Sequence, residues 1–224
     1  MLFIFSIITV LIFIYLFHKQ IKKHSSMFYL GAVVLTIFII LYNKYGLFAY
    51  VPANIQKYVI NIFSRATVST ALFTIVMYTG VLDKKKNITK NLYIIRGELA
   101  IIACILTFAH NISFGSANLS SVQPRILLAG KVSIIMIIIM ILLMITSFKF
   151  CRKMIPFNKW KMIQRMSYLF YGLIYVHIIC LYIPKIQQGI YLDVIIYSAV
   201  FITYYVLRIH KYFKDSKKRN LSER

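Results

Sequence analysis

Two histidines, His110 and His177, each lie inside a strongly apolar stretch of this chain of 224 residues. An ionisable side chain is costly at membrane depth, so these two imidazoles are the first candidates for a functional site. Neutral imidazole is a ligand of haem iron, and one imidazole from each stretch could hold the same iron. The alternative is that each histidine only forms a hydrogen bond to a neighbouring helix.

The composition places these histidines in a membrane. Apolar residues make up 60% of the chain and charged residues 14%, which leaves too little polar surface for a soluble domain of this size. We therefore predict an all-α fold, a polytopic integral bundle of about seven transmembrane helices in the lipid bilayer of the cell membrane. The seven apolar segments are Leu2 to Phe17, Met27 to Tyr42, Thr67 to Leu82, Gly97 to Ile112, Leu127 to Ser147, Met166 to Ile183 and Ile190 to Ile209.

The basic residues predict the orientation of the bundle. The net charge is +22, and the cations are concentrated after the first, third, fifth and seventh segments. Under the positive-inside rule this alternation puts the N-terminus outside and the C-terminus in the cytosol, which requires an odd number of crossings. Orientation alone accounts for the charge, so no nucleic-acid partner is expected.

Residues 1–66 are predicted to contain two transmembrane helices and one external amphipathic helix. After Pro52, the apolar residues recur at helical spacing, and polar residues take the other face. This segment either lies on the outer leaflet or caps the outer mouth of the protein. Residues 210–224 form a basic cytosolic tail. The apolar positions of the external helix are Ile55, Tyr58, Val59, Ile62 and Phe63.

The depths of the two histidines match. At 1.5 Å per residue, His110 lies about 20 Å along its segment from the cytosolic side and His177 about 17 Å along its own. The two segments run in the same direction, so the imidazoles could approach one iron from opposite sides. Ala103, Ala109 and Gly172 are small residues that would let a flat macrocycle approach the helix backbones.

Two stretches carry a resemblance to a known family. RGELAIIACILTFAH, from Arg96 to His110, and WKMIQRMSYLFYGLIYVH, from Trp160 to His177, resemble the two histidine-bearing helices of the ferric reductase-like transmembrane domain. Within that family they are most similar to the haem-binding membrane subunit of the periplasmic methionine sulfoxide reductase system. The resemblance covers residues 67–209 and implies that His110 and His177 are the axial ligands of a b-type haem.

The chain departs from the family pattern on the cytosolic side. Gln164 occupies the position at which the family motif carries a second histidine, and Gly97 occupies the equivalent position of the other helix. One haem is therefore expected rather than two. Arg96 and Gln164, together with Glu98 and Arg165, could hold the head group of a flavin or a quinone in the inner half. An ion pair at the helix start is the alternative for Arg96 and Glu98.

Two cations lie near the outer end of the fifth segment. Lys131 is just inside this end and Arg125 is at its boundary. Haem propionates that point outward would need cations at this level, so both residues are candidate cofactor-binding groups. Snorkelling of Lys131 to the outer surface is the alternative.

The sequence thus predicts a membrane b-type cytochrome that passes electrons through a single bis-histidine haem to an acceptor at the outer face. We find no nucleotide-binding fingerprint, so a quinol, a flavin or a separate reductase is the expected donor, and a metal ion or a redox protein the expected acceptor. Whether the chain is itself an oxidoreductase stays open. A small-solute transporter and a structural subunit of a membrane complex are the alternatives. Transporter sites usually contain a carboxylate within the membrane, and no segment of this chain has one near its middle. A structural subunit would leave the two histidines at matched depth without a role.

Overall fold

A computed structural model of the chain describes most of its residues. Of the sequence predictions, the start of the last segment at Ile190 and the side chain of Tyr58 in the external helix lie outside the described residues. The same is true of three of the basic residues that contribute to the predicted orientation, which are Lys84, Lys85 and Lys185. The side chains of residues 218–224 also lie outside them. The described residues are 2–46, 52, 55–83, 86–183, 186, 189 and 191–222.

Within those residues the chain is helical, with short turns and no β-strand, which confirms the predicted all-α fold. A π-helical turn at Gln56–Ile60 leads directly into α3. The helices are α1 Leu2–Lys23, α2 Ser25–Tyr45, α3 Asn61–Ser64, α4 Thr67–Thr79, α5 Asn87–Ile94, α6 Arg96–Leu119, α7 Pro124–Ser147, α8 Lys149–Met154, α9 Phe157–Tyr182 and α10 Tyr191–Ser222.

Six of these helices, α1, α2, α6, α7, α9 and α10, are long and apolar enough to cross a membrane. The chain is therefore a polytopic membrane protein. The remaining predicted crossing, α4, has 13 residues, which corresponds to a length of about 20 Å. Ten of its thirteen residues are buried, so it lies in the centre of the bundle, where protein rather than lipid surrounds it. A seventh full crossing stays a prediction.

The histidine-bearing helices share two neighbours. α6 packs against α4 and α7, and α9 also packs against α4 and α7. His110 on α6 and His177 on α9 therefore face a space that these four helices enclose. The N-terminal helices belong to the same bundle, because α1 packs on α4 and α2 packs along α6, where the Thr36 hydroxyl donates a hydrogen bond to the Ile105 carbonyl at 3.0 Å.

The external segment folds as a cap. Ile60 and Ile62 are its buried apolar residues, with exposed fractions of 3% and 6%, whereas Ile55 and Val59 are about half exposed. Ile62 is buried as the α-helical spacing predicts, whereas Ile60 is buried in place of Val59 in the wider π-helical turn before Asn61. Since α3 packs against α2 and α6, the structure favours the cap over a helix that lies only on the leaflet.

The orientation can be tested with reporters at both ends of the chain. A reporter fused after Arg224 is expected to report a cytosolic location, and a tag before Met1 an external one, because the cations are concentrated in alternate loops. Accessibility of the tags in intact and permeabilised cells measures this. Both ends on one side would contradict the seven-crossing prediction. Following the predicted orientation, we call the end of the bundle that bears Arg65 and Asn118 the outer end.

Candidate functional site

A cavity of about 560 Å³ lies between α4, α6, α7 and α9 and reaches the outer end of the bundle. Its volume is in the range of roughly 300 to 1,000 Å³ that is typical of cofactor pockets. α3 contributes Asn61 to the wall, and α10 contributes Tyr197. The tertiary structure thus places a cofactor-sized space between the two helices that carry the candidate ligands.

His110 and His177 both line this cavity and face each other. The centroids of their rings are 6.2 Å apart, and the ring planes are nearly perpendicular at 87°. A bond from imidazole nitrogen to metal is about 2 Å long, and the ring centroid lies about 1 Å beyond the nitrogen, so two imidazoles on opposite sides of one metal have centroids about 6 Å apart. The observed separation fits this arrangement.

The hydrogen bonds of His110 orient its ring. Its Nδ1 is 3.0 Å from the backbone carbonyl oxygen of Ser64. A carbonyl oxygen can only accept, so Nδ1 carries the proton and Nε2 keeps its lone pair in the neutral ring. Metal-bound histidines characteristically donate their second N–H in this way, which fixes both the tautomer and the ring orientation.

His177 has the same arrangement on the other side of the cavity. Its Nδ1 is 3.0 Å from the carbonyl oxygen of Ala129, which lies one turn before Ser133 on α7. The Ser133 hydroxyl donates to the same carbonyl at 2.9 Å, and its oxygen is 3.1 Å from Nδ1. In both histidines, therefore, Nδ1 is engaged with the protein and Nε2 is available as a ligand.

The wall of the cavity becomes more polar toward the outer end of the bundle. By helix register, the inner part is formed by Phe73, Met136, Met140, Phe170 and Ile174. The outer part combines the polar residues Arg65, Asn61, Asn111, Asn118 and Tyr182 with the apolar residues Phe114, Ile126 and Leu181. A ligand with an apolar body and an anionic edge fits this gradient, and haem, with its two propionates, has that character.

The residues present therefore fit a haem. Two protein ligands make an incomplete site for a bare ion, and among the residues that the structure describes no group of three or more His, Cys, Asp and Glu side chains could hold one. A porphyrin supplies the four equatorial nitrogens itself and needs only the two axial ligands.

Two predicted cofactor-binding cations lie elsewhere. Arg125 and Lys131 are exposed, and neither contributes to the cavity wall. The charged residue among those that line the cavity is Arg65. Local sequence pattern does not single out Arg65, because this residue lies 45 positions before His110, in the two-residue break between α3 and α4, and only tertiary packing brings it to the outer mouth. Its place in the outer loop next to a central segment was the available signal.

The inner-half candidates are engaged in contacts between neighbouring helices. The Gln164 amide donates to the Thr146 hydroxyl at 2.9 Å and so ties α9 to α7. The Arg96 guanidinium lies 5.3 Å from the centre of the Tyr93 ring. Neither side chain lines the cavity around the histidines, so the structure does not join these residues to the outer site.

The expected ion pair at the start of α6 has a different partner. Glu98 is buried, and its carboxylate is 3.3 Å from the ammonium of Lys149 on α8. Arg165, the other residue considered at this level, is exposed. The Glu98 pair therefore joins α6 to α8, the short helix that follows α7, in place of the predicted Arg96 partner.

None of the small residues picked out in the sequence, Ala103, Ala109 and Gly172, lines the cavity, and the last two have other close neighbours. Ala109 packs with Ile39 and Ile60, and a Cβ at Gly172 would lie 2.8 Å from the Tyr205 hydroxyl. The close helix approach near the histidines is at Gly130 instead, where a Cβ would lie 3.0 Å from the backbone oxygen of Asn118. Gly130 follows Ala129, the residue whose carbonyl accepts from His177.

The chain is similar to a protein of Treponema pallidum (strain Nichols) that is described as uncharacterized. The two are 34% identical over 219 residues, which cover 93% of this chain and 60% of the relative. The chain thus spans about three fifths of the length of the curated relative it matches. No protein-family model and no solved structure matches the chain.

Proposed function

We propose that this protein is a b-type cytochrome of the cell membrane, which passes electrons through one haem to an acceptor at the outer face. The observation that carries the proposal is the pair of facing imidazoles, 6.2 Å apart between ring centroids, each with Nδ1 directed to a backbone carbonyl. A histidine that only stabilised its helix would not require a second imidazole at the distance that suits a shared metal.

In this proposal His110 and His177 would hold the haem iron, and Arg65 with the asparagines of the outer mouth would bind the propionates. The haem would supply one-electron chemistry, with two neutral imidazoles on the iron. The protein contributes fixed ligand orientation through Ser64 and Ala129, and an apolar inner wall that limits access of water. The resemblance of both histidine-bearing helices to the ferric reductase-like transmembrane domain supports the same assignment.

The donor and the acceptor are proposed by class. A quinol, a flavin or a separate reductase delivers electrons from the inner half, and a metal ion or a redox protein accepts them at the outer mouth. The outer cavity supports the second part, because its polar wall reaches the end of the bundle at which Arg65 is exposed.

Purification of the full chain in detergent tests the proposal. We expect a Soret band, the reduced-minus-oxidised spectrum of a low-spin b-type cytochrome, and about one haem per chain. The pyridine haemochrome assay measures the stoichiometry. A colourless chain that takes up no added haemin would contradict the proposal and would favour the transporter or the structural subunit.

Substitution of Arg65, which lines the cavity, can be compared with substitution of Arg125, which the sequence suggested as a cofactor-binding residue. An exposed ion pair contributes roughly 0.2 to 1 kcal/mol, so Arg65→Ala should raise the dissociation constant for haem by about 1.5- to 5-fold. Arg125→Ala should leave the constant unchanged, because Arg125 is exposed and does not line the cavity. Transfer of haem to apomyoglobin measures the loss. An equal effect of both substitutions would show that the outer charge acts only at long range.

A further inference from the structure

A hydrogen-bond network connects His110 to helix α2, which no part of the proposed haem site includes. The Asn43 amide, near the outer end of α2, donates to the Ser64 hydroxyl at 2.9 Å and to the Ser113 hydroxyl at 3.2 Å. Ser64 donates its own hydroxyl proton to the Ile60 carbonyl at 2.9 Å. Asn43 therefore bridges the end of α3 to α6, three residues beyond His110.

The same serine provides the carbonyl that accepts from His110. Ser64 is buried, and its backbone oxygen is 3.0 Å from His110 Nδ1. In a continuous helix this carbonyl would accept from the amide four residues later. Here Ala66 adopts a left-handed conformation, with φ of 55°, and interrupts the helix between α3 and α4. The interruption leaves the Ser64 carbonyl available to the imidazole.

This break is held by the surrounding contacts. A left-handed conformation costs a non-glycine residue roughly 1 to 2 kcal/mol, so a short helix ending there needs support from its neighbours. The Ser64 hydroxyl supplies that support from both sides, since it accepts from Asn43 on α2 and donates to Ile60 in the π-helical turn. The position of the carbonyl thus depends on a side chain that does not touch the imidazole.

We propose that Asn43 is a positioning residue for His110, acting through the Ser64 hydroxyl to hold the carbonyl that accepts the Nδ1 proton of the imidazole. A firm hydrogen bond at Nδ1 makes the imidazole a stronger donor to a metal at Nε2 and stabilises the oxidised state of the metal. The redox consequence rests on the proposed haem function, whereas the control of the histidine tautomer does not.

The redox arm of the test compares variants in the haem-loaded full chain. Asn43→Leu and Ser64→Ala should each raise the reduction potential, because the carbonyl is held less firmly, while the haem content stays close to that of the native chain. The double variant should shift the potential no further than Ser64→Ala alone, since both substitutions act on one path. Spectroelectrochemical titration measures the potential.

Thr36→Val is the matched control. Thr36 also joins α2 to α6 by a side-chain hydrogen bond, to the Ile105 carbonyl at 3.0 Å, but this bond lies outside the Ser64 network. This variant should leave the potential unchanged. A shift as large as that of Asn43→Leu would attribute the effect to general loosening of α2 and would overturn the proposal, as would an unchanged potential in both network variants.

The second arm needs no haem. Nitrogen NMR of the chain labelled with ¹⁵N-histidine should show His110 with its proton on Nδ1 in the native sequence and a mixture of tautomers in Asn43→Leu. An unchanged tautomer in Asn43→Leu and Ser64→Ala would refute the positioning role. If the native chain binds no haem but the tautomer responds, the proposed function fails and the positioning of His110 stands.

Discussion

His110→Ala and His177→Ala are each expected to remove the haem from the purified chain. The two rings face one space at 6.2 Å between centroids, and loss of either leaves one axial position without a protein ligand. A ligand contributes a bond to the metal itself, so its loss should raise the dissociation constant for haem beyond the roughly 10- to 100-fold typical of groups that hydrogen-bond to a ligand directly, and should leave the purified chain with little haem. Absorbance at the Soret maximum per chain measures it.

His210→Ala is the control for these two substitutions. His210 is an exposed residue in the second half of α10, outside the cavity that holds the other two imidazoles. Its substitution should leave the spectrum unaltered, while the chain should reach the membrane in normal amounts in all three variants. Retention of a native spectrum in either His110→Ala or His177→Ala would remove that residue from the ligand set.

Gly130→Ala is expected to destabilise the bundle at the crossing of α6 and α7. A Cβ at this position would lie 3.0 Å from the backbone oxygen of Asn118 and 3.1 Å from its carbonyl carbon, and backbone atoms cannot move aside without shifting the helix. Overpacking of this kind lowers the free energy of unfolding by about 1 to 3 kcal/mol. For a chain of this size, each kcal/mol lowers the melting temperature by roughly 2 to 4 °C. Thermal unfolding in detergent, followed by circular dichroism, measures the change.

Gly31→Ala, also a substitution of a glycine inside a long helix, is expected to stabilise the chain. Gly31 is inside α2 and exposed, and a Cβ added there would meet nothing within 4 Å, so alanine should stabilise the helix by about 0.5 to 1 kcal/mol. An unchanged melting temperature in Gly130→Ala would contradict this prediction. It would show that α6 and α7 can move apart at little cost in free energy, so that their close approach at Gly130 does not stabilise the bundle.

Two asparagines illustrate how far local pattern extends. Nothing in the sequence around Asn43 distinguishes it from a polar residue at a helix end, since its partner Ser64 lies 21 positions later and Ser113 lies 70 positions later. Asn118 likewise becomes part of the cavity wall through the crossing of α6 with α7. Contacts over such separations depend on how helices pack, which apolar periodicity does not encode.

The membrane class, the helical fold and the two histidines all follow from the amino-acid sequence. Long apolar segments must form helices in lipid because every backbone group has to be satisfied within the segment, and a buried imidazole stands out against that background. The pattern predicted the lipid-exposed helices well because each spans the bilayer on its own. It did not predict that α4 would be a short central helix, since burial by protein relaxes the length that lipid imposes.

Which polar residues meet the histidines depends instead on the packing of the helices. Arg65 reaches the cavity, while Arg125 and Lys131 remain exposed, although all three lie near the outer ends of apolar segments. Gln164 and Glu98 bind to neighbouring helices rather than facing the site. The physical reason is that a side chain's depth follows from its position along one helix, whereas the direction it faces and the partners it finds follow from the rotation and crossing of all the helices around it.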